Sequence, residues 1–278
     1  MTDPVTGPVM GDLATARTLL FVPGDRPERF DKAAAAGADL VIIDLEDAVR
    51  AEGKEQARDA VHSWLADHSA GHRACVRVNA VDTPWHDDDL AVLRGLVAGV
   101  VLPMAADAFA ATAVHRATDA PVLAIVETAR GVLRCGELAE AEGVVRLAFG
   151  ALDLAADLGT DDPETFARVR TQLVLASRAA GLDGPVDSVT TDVTDGAAAG
   201  RDAVAGKAAG MRGKLFVHPR QVAPVAAAFA PDEAEVAWAR RVLEAGEGGG
   251  IGGGVAVLDG AMVDEPVLAR ARRILADA

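Results

Sequence analysis

Eight short apolar runs, separated by segments rich in Ala, Leu, Arg and Glu and long enough for crossover helices, predict an α/β fold of parallel strands. Eight such strand-helix units predict a (β/α)8 TIM barrel with a C-terminal helical extension. Two further observations agree. The chain has 278 residues, within the range of one closed barrel. Ionisable residues also stand just past the C-terminal ends of most runs, where an α/β fold builds its ligand crevice. The alternative, an open doubly wound sheet, needs a reversal of strand order that the sequence does not reveal.

The elements follow in order. Residues 1–16 lack strong periodicity and hold two prolines, which marks a mobile leader. The barrel is expected over residues 17–230. Its strands are Thr18 to Val22, Leu40 to Asp44, Ala74 to Val78, Gly99 to Leu102, Val122 to Val126, Val145 to Phe149, Pro185 to Val189 and Lys214 to Val217. Gly53 to His68, Ala105 to Thr118 and Pro163 to Ala180 read as crossover helices. Residues 231–278 form the extension. Asp232, after Pro231, caps a helix running to Ala245, and the glycine-rich stretch Gly246 to Gly254 reads as a hinge. Gly248, Gly250 and Gly253 match a Gly-x-Gly-x-x-Gly pattern, but a phosphate-binding loop of that kind follows a strand, and this one follows a helix. Beyond it, Val255 to Leu258 and the helical Glu265 to Ala276 form a tail too small to fold alone, so it must pack on the barrel or on a neighbouring subunit.

Composition narrows the function classes. Lys and Arg number 27 against 42 Asp and Glu, and the net charge of −15 argues against non-specific affinity for nucleic acid or an anionic membrane surface. An anionic ligand therefore needs a local basic cluster. Cys75 and Cys135 are the only cysteines, and no charged n-region with an apolar h-region opens the chain, so the expected setting is a reducing cytoplasm without structural disulfides. No apolar stretch approaches the roughly 20 residues of a membrane span.

Glu127 and Asp153 are the most informative pair, each just past a strand end. Either could merely cap the helix that follows, but two on successive strands suggest a divalent-metal site. Asp25 and Arg26, Asp44, Glu46 and Asp47, Arg77 and Asn79, Asp187 and His218 join them at or near the same rim. Converging carboxylates raise one another's pKa unless a cation joins them. Oxygen donors without a Cys/His cluster favour Mg²⁺ or Mn²⁺ over Zn²⁺. Arg77, a cation ending an apolar strand, is expected to pair with Asp44 or Glu46, to hold a substrate carboxylate, or to do both. Arg26 and Lys32 flank a helix start and read as phosphate ligands or as solvated surface charges. His218 reads as an acid-base group or a hydrogen-bonded structural histidine. Other groups fit structural roles: His68 and His72 at a helix end, and Asp87, Asp88 and Asp89 at a helix N-terminus. Ser63, Ser69, Ser177 and Ser188 lack a nucleophile-elbow context.

Several spaced motifs then carry a resemblance: Arg17-Thr-Leu-Leu-Phe-Val-Pro-Gly-Asp-Arg-Pro27, Asp44-Leu-Glu-Asp-Ala-Val49, Arg77-Val-Asn79, Val126-Glu-Thr-Ala-Arg-Gly131, Phe149-Gly-Ala-Leu-Asp-Leu154 and Val217-His-Pro-Arg-Gln221. In this order they resemble the citrate lyase β-subunit-like (CitE-like) family of the HpcH/HpaI aldolase superfamily, related to malyl-CoA and citramalyl-CoA lyases. The resemblance implies a barrel that is usually trimeric, with a hexamer the alternative, using Mg²⁺ to make or break a carbon-carbon bond beside a thioester. It implies Glu127 and Asp153 as metal ligands and Arg77 as the grip on a keto-acid carboxylate. It gives Arg26 and Lys32 the CoA phosphates and sets Glu46 and Asp47 close around the substrate. Asp264, in Gly260-Ala-Met-Val-Asp-Glu-Pro266, matches an acid-base aspartate that reaches a neighbouring subunit's site, so the tail would swing on its hinge as a lid. The implied reaction splits a β-hydroxyacyl-CoA such as malyl-CoA or citramalyl-CoA into acetyl-CoA or propionyl-CoA plus glyoxylate or pyruvate, or condenses them. Alternatives are the β subunit of a citrate lyase complex acting on an acyl carrier protein, a β-hydroxyacyl-CoA thioesterase, and a non-catalytic binding protein; joint retention of Glu127, Asp153, Arg77 and Asp264 counts against the last. Met104 departs from the pattern, because many relatives carry lysine after the proline at this strand end. Any cationic role there is lost or moved, which leaves substrate preference open.

Overall fold

The computed structural model describes residues 12–68, 74–248 and 256–278. It contains a closed barrel of eight parallel strands: β1 (Thr18–Pro23), β2 (Leu40–Asp44), β3 (Cys75–Arg77), β4 (Gly99–Leu102), β5 (Val122–Val126), β6 (Val144–Phe149), β7 (Val186–Asp187) and β8 (Gly213–Phe216). Each strand pairs with the next, and β8 returns to β1 with Leu19 opposite Leu215. The expected (β/α)8 barrel is therefore the fold observed, with strand ends within a few residues of those read from the pattern. Strand β7 is the shortest of the eight and starts after Pro185, which has no N–H to give to the ladder.

Helices α1 (Phe30–Ala34), α2 (Lys54–His68), α3 (His86–Ala91), α4 (Ala108–Thr118), α5 (Ala129–Ala139), α6 (Ala151–Leu158), α7 (Pro163–Ala179) and α8 (Gly196–Ala208) fill the crossovers, and α9 (Val222–Phe229) follows β8. Side-chain caps start several of them. Asp107 accepts the Phe109 N–H at 2.8 Å, Thr128 the Gly131 N–H at 3.0 Å and Asp162 the Thr165 N–H at 2.8 Å. Thr128 matters most for the site, because it ends the turn that carries Glu127.

Inward-facing residues alternate along the strands and form one core of Leu19, Ile42, Cys75, Val101, Leu123 and Leu215 with their neighbours. Leu13 and Ala16 belong to this same core, and Leu13 is only 2% exposed. The mobile leader expected over residues 1–16 is thus corrected for residues 12–16, which close the barrel floor by burying apolar area; residues 1–11 lie outside the described residues. Buried Arg146 secures that floor, its Nε donating to Gly184 O at 3.0 Å and its Nη1 to Ala16 O.

The chain divides into two compact units, Met1–Ala226 and Ala227–Ala278. In the second, α10 (Glu233–Gly248) opens with a reciprocal cap between Asp232 and Glu235. A hairpin of β9 (Ala256–Leu258) and β10 (Ala261–Val263) follows, then α11 (Glu265–Ala276). The sequence reading had no hairpin here. Its turn uses Asp259 and Gly260, both at positive φ, as a two-residue hairpin turn requires. Ala239, Val242, Val263 and Ala271 form this unit's core, and Arg270 stacks 4.7 Å over the Trp238 ring. The expected hinge is corrected at its start, since Gly246 lies within α10, where an added Cβ would stand 2.6 Å from Leu268 Cδ2. Helix α10 continues to Gly248, and residues 249–254 of the expected hinge, including Gly250 and Gly253, lie outside the described residues. No helix among the described residues is long and apolar enough to cross a membrane.

Candidate active site at the barrel mouth

One side of the barrel mouth is an ion cluster on adjacent strands, where Asp44 and Arg77 are register partners. Arg77 donates from Nε and Nη2 to the two Asp44 oxygens, each at 2.7 Å. This fork is the geometry that suits guanidinium to carboxylate. Its Nη1 lies 2.8 Å from Glu46 Oε2 and 3.5 Å from Asp47 Oδ2, and its plane stacks 4.8 Å from the Phe21 ring. The pairing with Asp44 and Glu46 expected from sequence is therefore present. Burial works against the Arg77 charge, but Asp44, Glu46 and Asp47 outweigh it and hold its pKa above the ordinary arginine value. Burial also pushes the Glu46 carboxyl up to about 7, against the pull of Arg77. Its Oε2 makes the ion pair without accepting a hydrogen bond.

Two strands further around the mouth, past β5, Glu127 is only 3% exposed. Its Oε1 accepts the Met104 N–H at 2.7 Å. Met104 points that N–H from a left-handed backbone, φ 50°, an uncommon conformation for a residue with a long side chain. Gly150, between β6 and α6, leaves room for the rest of the carboxylate, since an added Cβ would stand 2.3 Å from Glu127 Oε2. Asp153 follows in the first turn of α6. Burial pushes Glu127 up to about 8, with the Asp153 and Glu46 carboxylates adding to the shift.

Glu127, Asp153, Asp44, Asp47 and Arg77 line one cavity of about 360 Å³, together with Ser188 and apolar side chains that include Phe21 and Ile125. This donor set fits a hard divalent cation: two mutually repelling carboxylates, one desolvated, opposite a region already occupied by a cation. Among the described residues no cluster of three or more His, Cys, Asp or Glu side chains forms a closed cage. Mg²⁺ does not need one, because it keeps waters and takes substrate oxygens beside one or two carboxylates.

Two predictions follow from this geometry. Gly150→Ala should displace Glu127 and weaken Mg²⁺ binding roughly 10- to 100-fold, the cost of losing a ligand's support; unchanged affinity by calorimetry would contradict the crowding. The second concerns pH. Glu46 and Glu127 have pKa values of about 7 and about 8 in the fold against 4.5 as the ordinary value, so the fold binds more protons than the unfolded chain between these limits. The stability they contribute is complete below the unfolded pKa and is lost as pH rises through the folded ones. The metal-free protein should therefore melt at progressively lower temperature from about pH 5 to about pH 8, and Glu127→Gln should flatten that slope. An equal slope in both proteins would refute the assignment.

The structure does not bring every rim candidate to this cavity. Asp187 points away from it, with Oδ1 2.9 Å from Arg170 Nε. Asn79 is buried in a separate network, accepting from Lys54 Nζ at 2.6 Å and donating from Nδ2 to Asp89 at 2.6 Å. Asp89 also receives Arg58 Nε at 2.9 Å, so of the three acids read as charging a helix N-terminus this one is a buried partner. Lys54 reaches back to Leu45 O and Glu46 O at 2.7 and 2.8 Å, supporting the loop that carries Glu46 and Asp47. His218 caps the turn after β8: its Nδ1 accepts the Arg220 N–H at 3.1 Å within a capping box closed by Gln221. Arg26 is exposed and 3.7 Å from Asp25, and Lys32 is exposed on α1. Asp264 lies in the second unit and caps α11, accepting the Val267 N–H at 3.1 Å. Sequence reasoning missed Met104 as a backbone donor and Ser188 as a cavity residue; only the positive φ of one and the barrel closure around the other reveal them.

A closed (β/α)8 barrel with carboxylates and an arginine at its C-terminal mouth has the architecture on which barrel enzymes build their active sites. Comparison with known proteins narrows this. Residues 17–219 match the family model for HpcH/HpaI aldolase/citrate lyase, and the chain belongs to that family of aldolase- and lyase-type enzymes. The citrate lyase subunit beta-like protein of Deinococcus radiodurans is 40% identical, with 94% of this chain and 97% of that one covered. A (3S)-malyl-CoA thioesterase of Cereibacter sphaeroides is 35% identical, with 94% of each chain covered. The crystal structure of CitE from Mycobacterium tuberculosis in complex with magnesium, acetoacetate and coenzyme A superposes with a TM-score of 0.82 at 36% identity, covering 96% of this chain and 99% of that one.

Proposed function

We propose that this protein is a Mg²⁺-dependent carbon-carbon lyase, or the corresponding condensing enzyme, acting on a β-hydroxyacyl-CoA such as malyl-CoA or citramalyl-CoA. The observation that carries the reading is the cavity where Glu127 and Asp153 face the Arg77 cluster. A Mg²⁺ held by those two carboxylates supplies Lewis-acid charge that acidifies the substrate hydroxyl and stabilises the developing anion. Arg77 receives the α-carboxylate of the keto acid. Its guanidinium has five N–H donors, so the Asp44 fork can persist while a cavity-facing N–H turns to the ligand. Glu46 and Asp47 hold that guanidinium in place, and exposed Arg26 and Lys32 take the CoA phosphates. Asp264, contributed by a neighbouring subunit, moves the proton at the thioester Cα, protonating the enolate after cleavage or removing the proton before condensation, as microscopic reversibility requires. The assembly is a homo-oligomer, a trimer or a hexamer.

The test supplies Mg²⁺, glyoxylate or pyruvate, and acetyl-CoA or propionyl-CoA, and follows the β-hydroxyacyl-CoA product by mass spectrometry. Absence of turnover in either direction with every pair would sink the proposal. Similarity to a protein named (3S)-malyl-CoA thioesterase supports a second reading, hydrolysis of the thioester in the same cavity. Free thiol released from a β-hydroxyacyl-CoA without keto acid would favour it. A third reading, the β subunit of a citrate lyase, requires turnover on an acyl carrier protein thioester.

A further inference from the structure

The cavity holds one polar side chain that the proposed chemistry leaves unused. Ser188, just past β7, is 4% exposed and lines the cavity four strands around the barrel from β3, hence opposite Arg77. Three contacts hold it. Its N–H donates to Asp187 Oδ1 at 2.9 Å, its carbonyl accepts from the Lys214 ammonium, and its Oγ accepts the Ala151 N–H at 3.0 Å. Asp187 and Lys214 are themselves 1% and 2% exposed, so buried charges pin the main chain at this point.

A hydroxyl carries one proton and two lone pairs. The Ala151 N–H engages the oxygen as acceptor, and the hydroxyl donates to no protein acceptor among the described residues, which leaves its proton for a ligand. Val189, Leu215 and Val217 make up the adjoining wall and bring no polar side chain. A ligand oxygen there has Ser188 as its side-chain donor.

The next step rests on the reading that a CoA thioester is the substrate. With the keto-acid carboxylate at Arg77 and the cation between Glu127 and Asp153, the part of the ligand facing the β7–β8 wall is the acyl thioester. We infer that Ser188 is a further catalytic residue that donates a hydrogen bond to the thioester carbonyl oxygen and stabilises the charge that develops on it. When the Cα proton leaves to the carboxylate base, Asp264 of a neighbouring subunit, its electron pair forms the new C=C bond and the carbonyl π pair moves onto oxygen. Cleavage of the Cα–Cβ bond delivers an electron pair to the same oxygen. Ser188 keeps its proton in both directions. A donor held in place before the charge appears needs no reorganisation during the step, and the desolvated surroundings strengthen it.

Ser188→Ala tests this. The expected result is a fall in kcat of about 10²-fold, the scale of one lost oxyanion donor, with the keto-acid KM nearly unchanged. Exchange of solvent deuterium into the acetyl-CoA methyl group should slow in parallel. Calorimetry supplies a readout independent of turnover: S-ethyl-CoA, which lacks the carbonyl, should bind both proteins alike, whereas acetyl-CoA should bind the variant more weakly. Should Ser188→Ala fail to fold, Ser188→Cys, similar in shape with a weaker donor, carries the same comparison. An unchanged kcat, or an equal loss of S-ethyl-CoA binding, overturns the assignment. Absence of turnover in the unmodified protein instead removes the lyase reading, and the role of Ser188 falls with it.

Discussion

Glu127→Gln should abolish most Mg²⁺ affinity, by more than the roughly 10- to 100-fold that loss of an outer partner costs a metal site. The substitution is nearly isosteric. The amide oxygen can still accept the Met104 N–H at the observed 2.7 Å, so the turn between β4 and α4 has no reason to rearrange. What disappears is the charge, in a place where burial already opposes it and a cation would restore it. The same change should raise the stability of the metal-free protein at about pH 8, because a neutral side chain no longer has to ionise against desolvation. Weaker binding and a more stable apo protein together distinguish a metal ligand from a merely structural acid. Calorimetry and thermal melts read the two effects, and retention of full Mg²⁺ affinity would remove Glu127 from the site.

Asp264→Asn has the opposite profile. Turnover should fall by about 10²- to 10⁴-fold, the range for loss of a positioned acid-base group, while Mg²⁺ affinity stays within about twofold. Asp264 also caps α11, and asparagine caps a helix about as well as aspartate, so folding should be preserved. This separates the chemical role from the capping role. Asp264→Ala, which loses both, should also lower the melting temperature. Equal loss of metal in Glu127→Gln and Asp264→Asn would contradict the division of labour.

Much of the fold was legible before the structure, because strand and helix signals are local. Val122–Val126 and Val144–Phe149 read as buried strands from their apolar runs, and Asp232 stands where a helix cap belongs. Glu127, Asp153 and Arg77 were legible as candidates for a related reason: a charged residue at or just past the end of a buried strand must find a partner or a ligand. Less accessible were contacts set by distant segments. Leu13 reads as part of a leader, yet it plugs the floor because Gly99, far along the chain, leaves a space that only a closed barrel creates. Asp89 reads as helix-end charge, yet it is buried between Arg58 and Asn79. Gly246 reads as hinge, yet it sits where α11 presses Leu268 against α10.

By itself the amino-acid sequence determined the number of barrel strands, their order and the acids and bases near their ends, since periodicity, glycine and proline act over a few residues. Only the tertiary structure decided which of those groups share a cavity and in what electrostatic state. Closure of the barrel turned Asp187 outward and Ser188 inward, set the left-handed Met104 N–H against Glu127, and removed enough water to lift that carboxylate to about 8. The reason is that desolvation and convergence depend on neighbours far away in the chain, and these exist only once β8 has returned to β1.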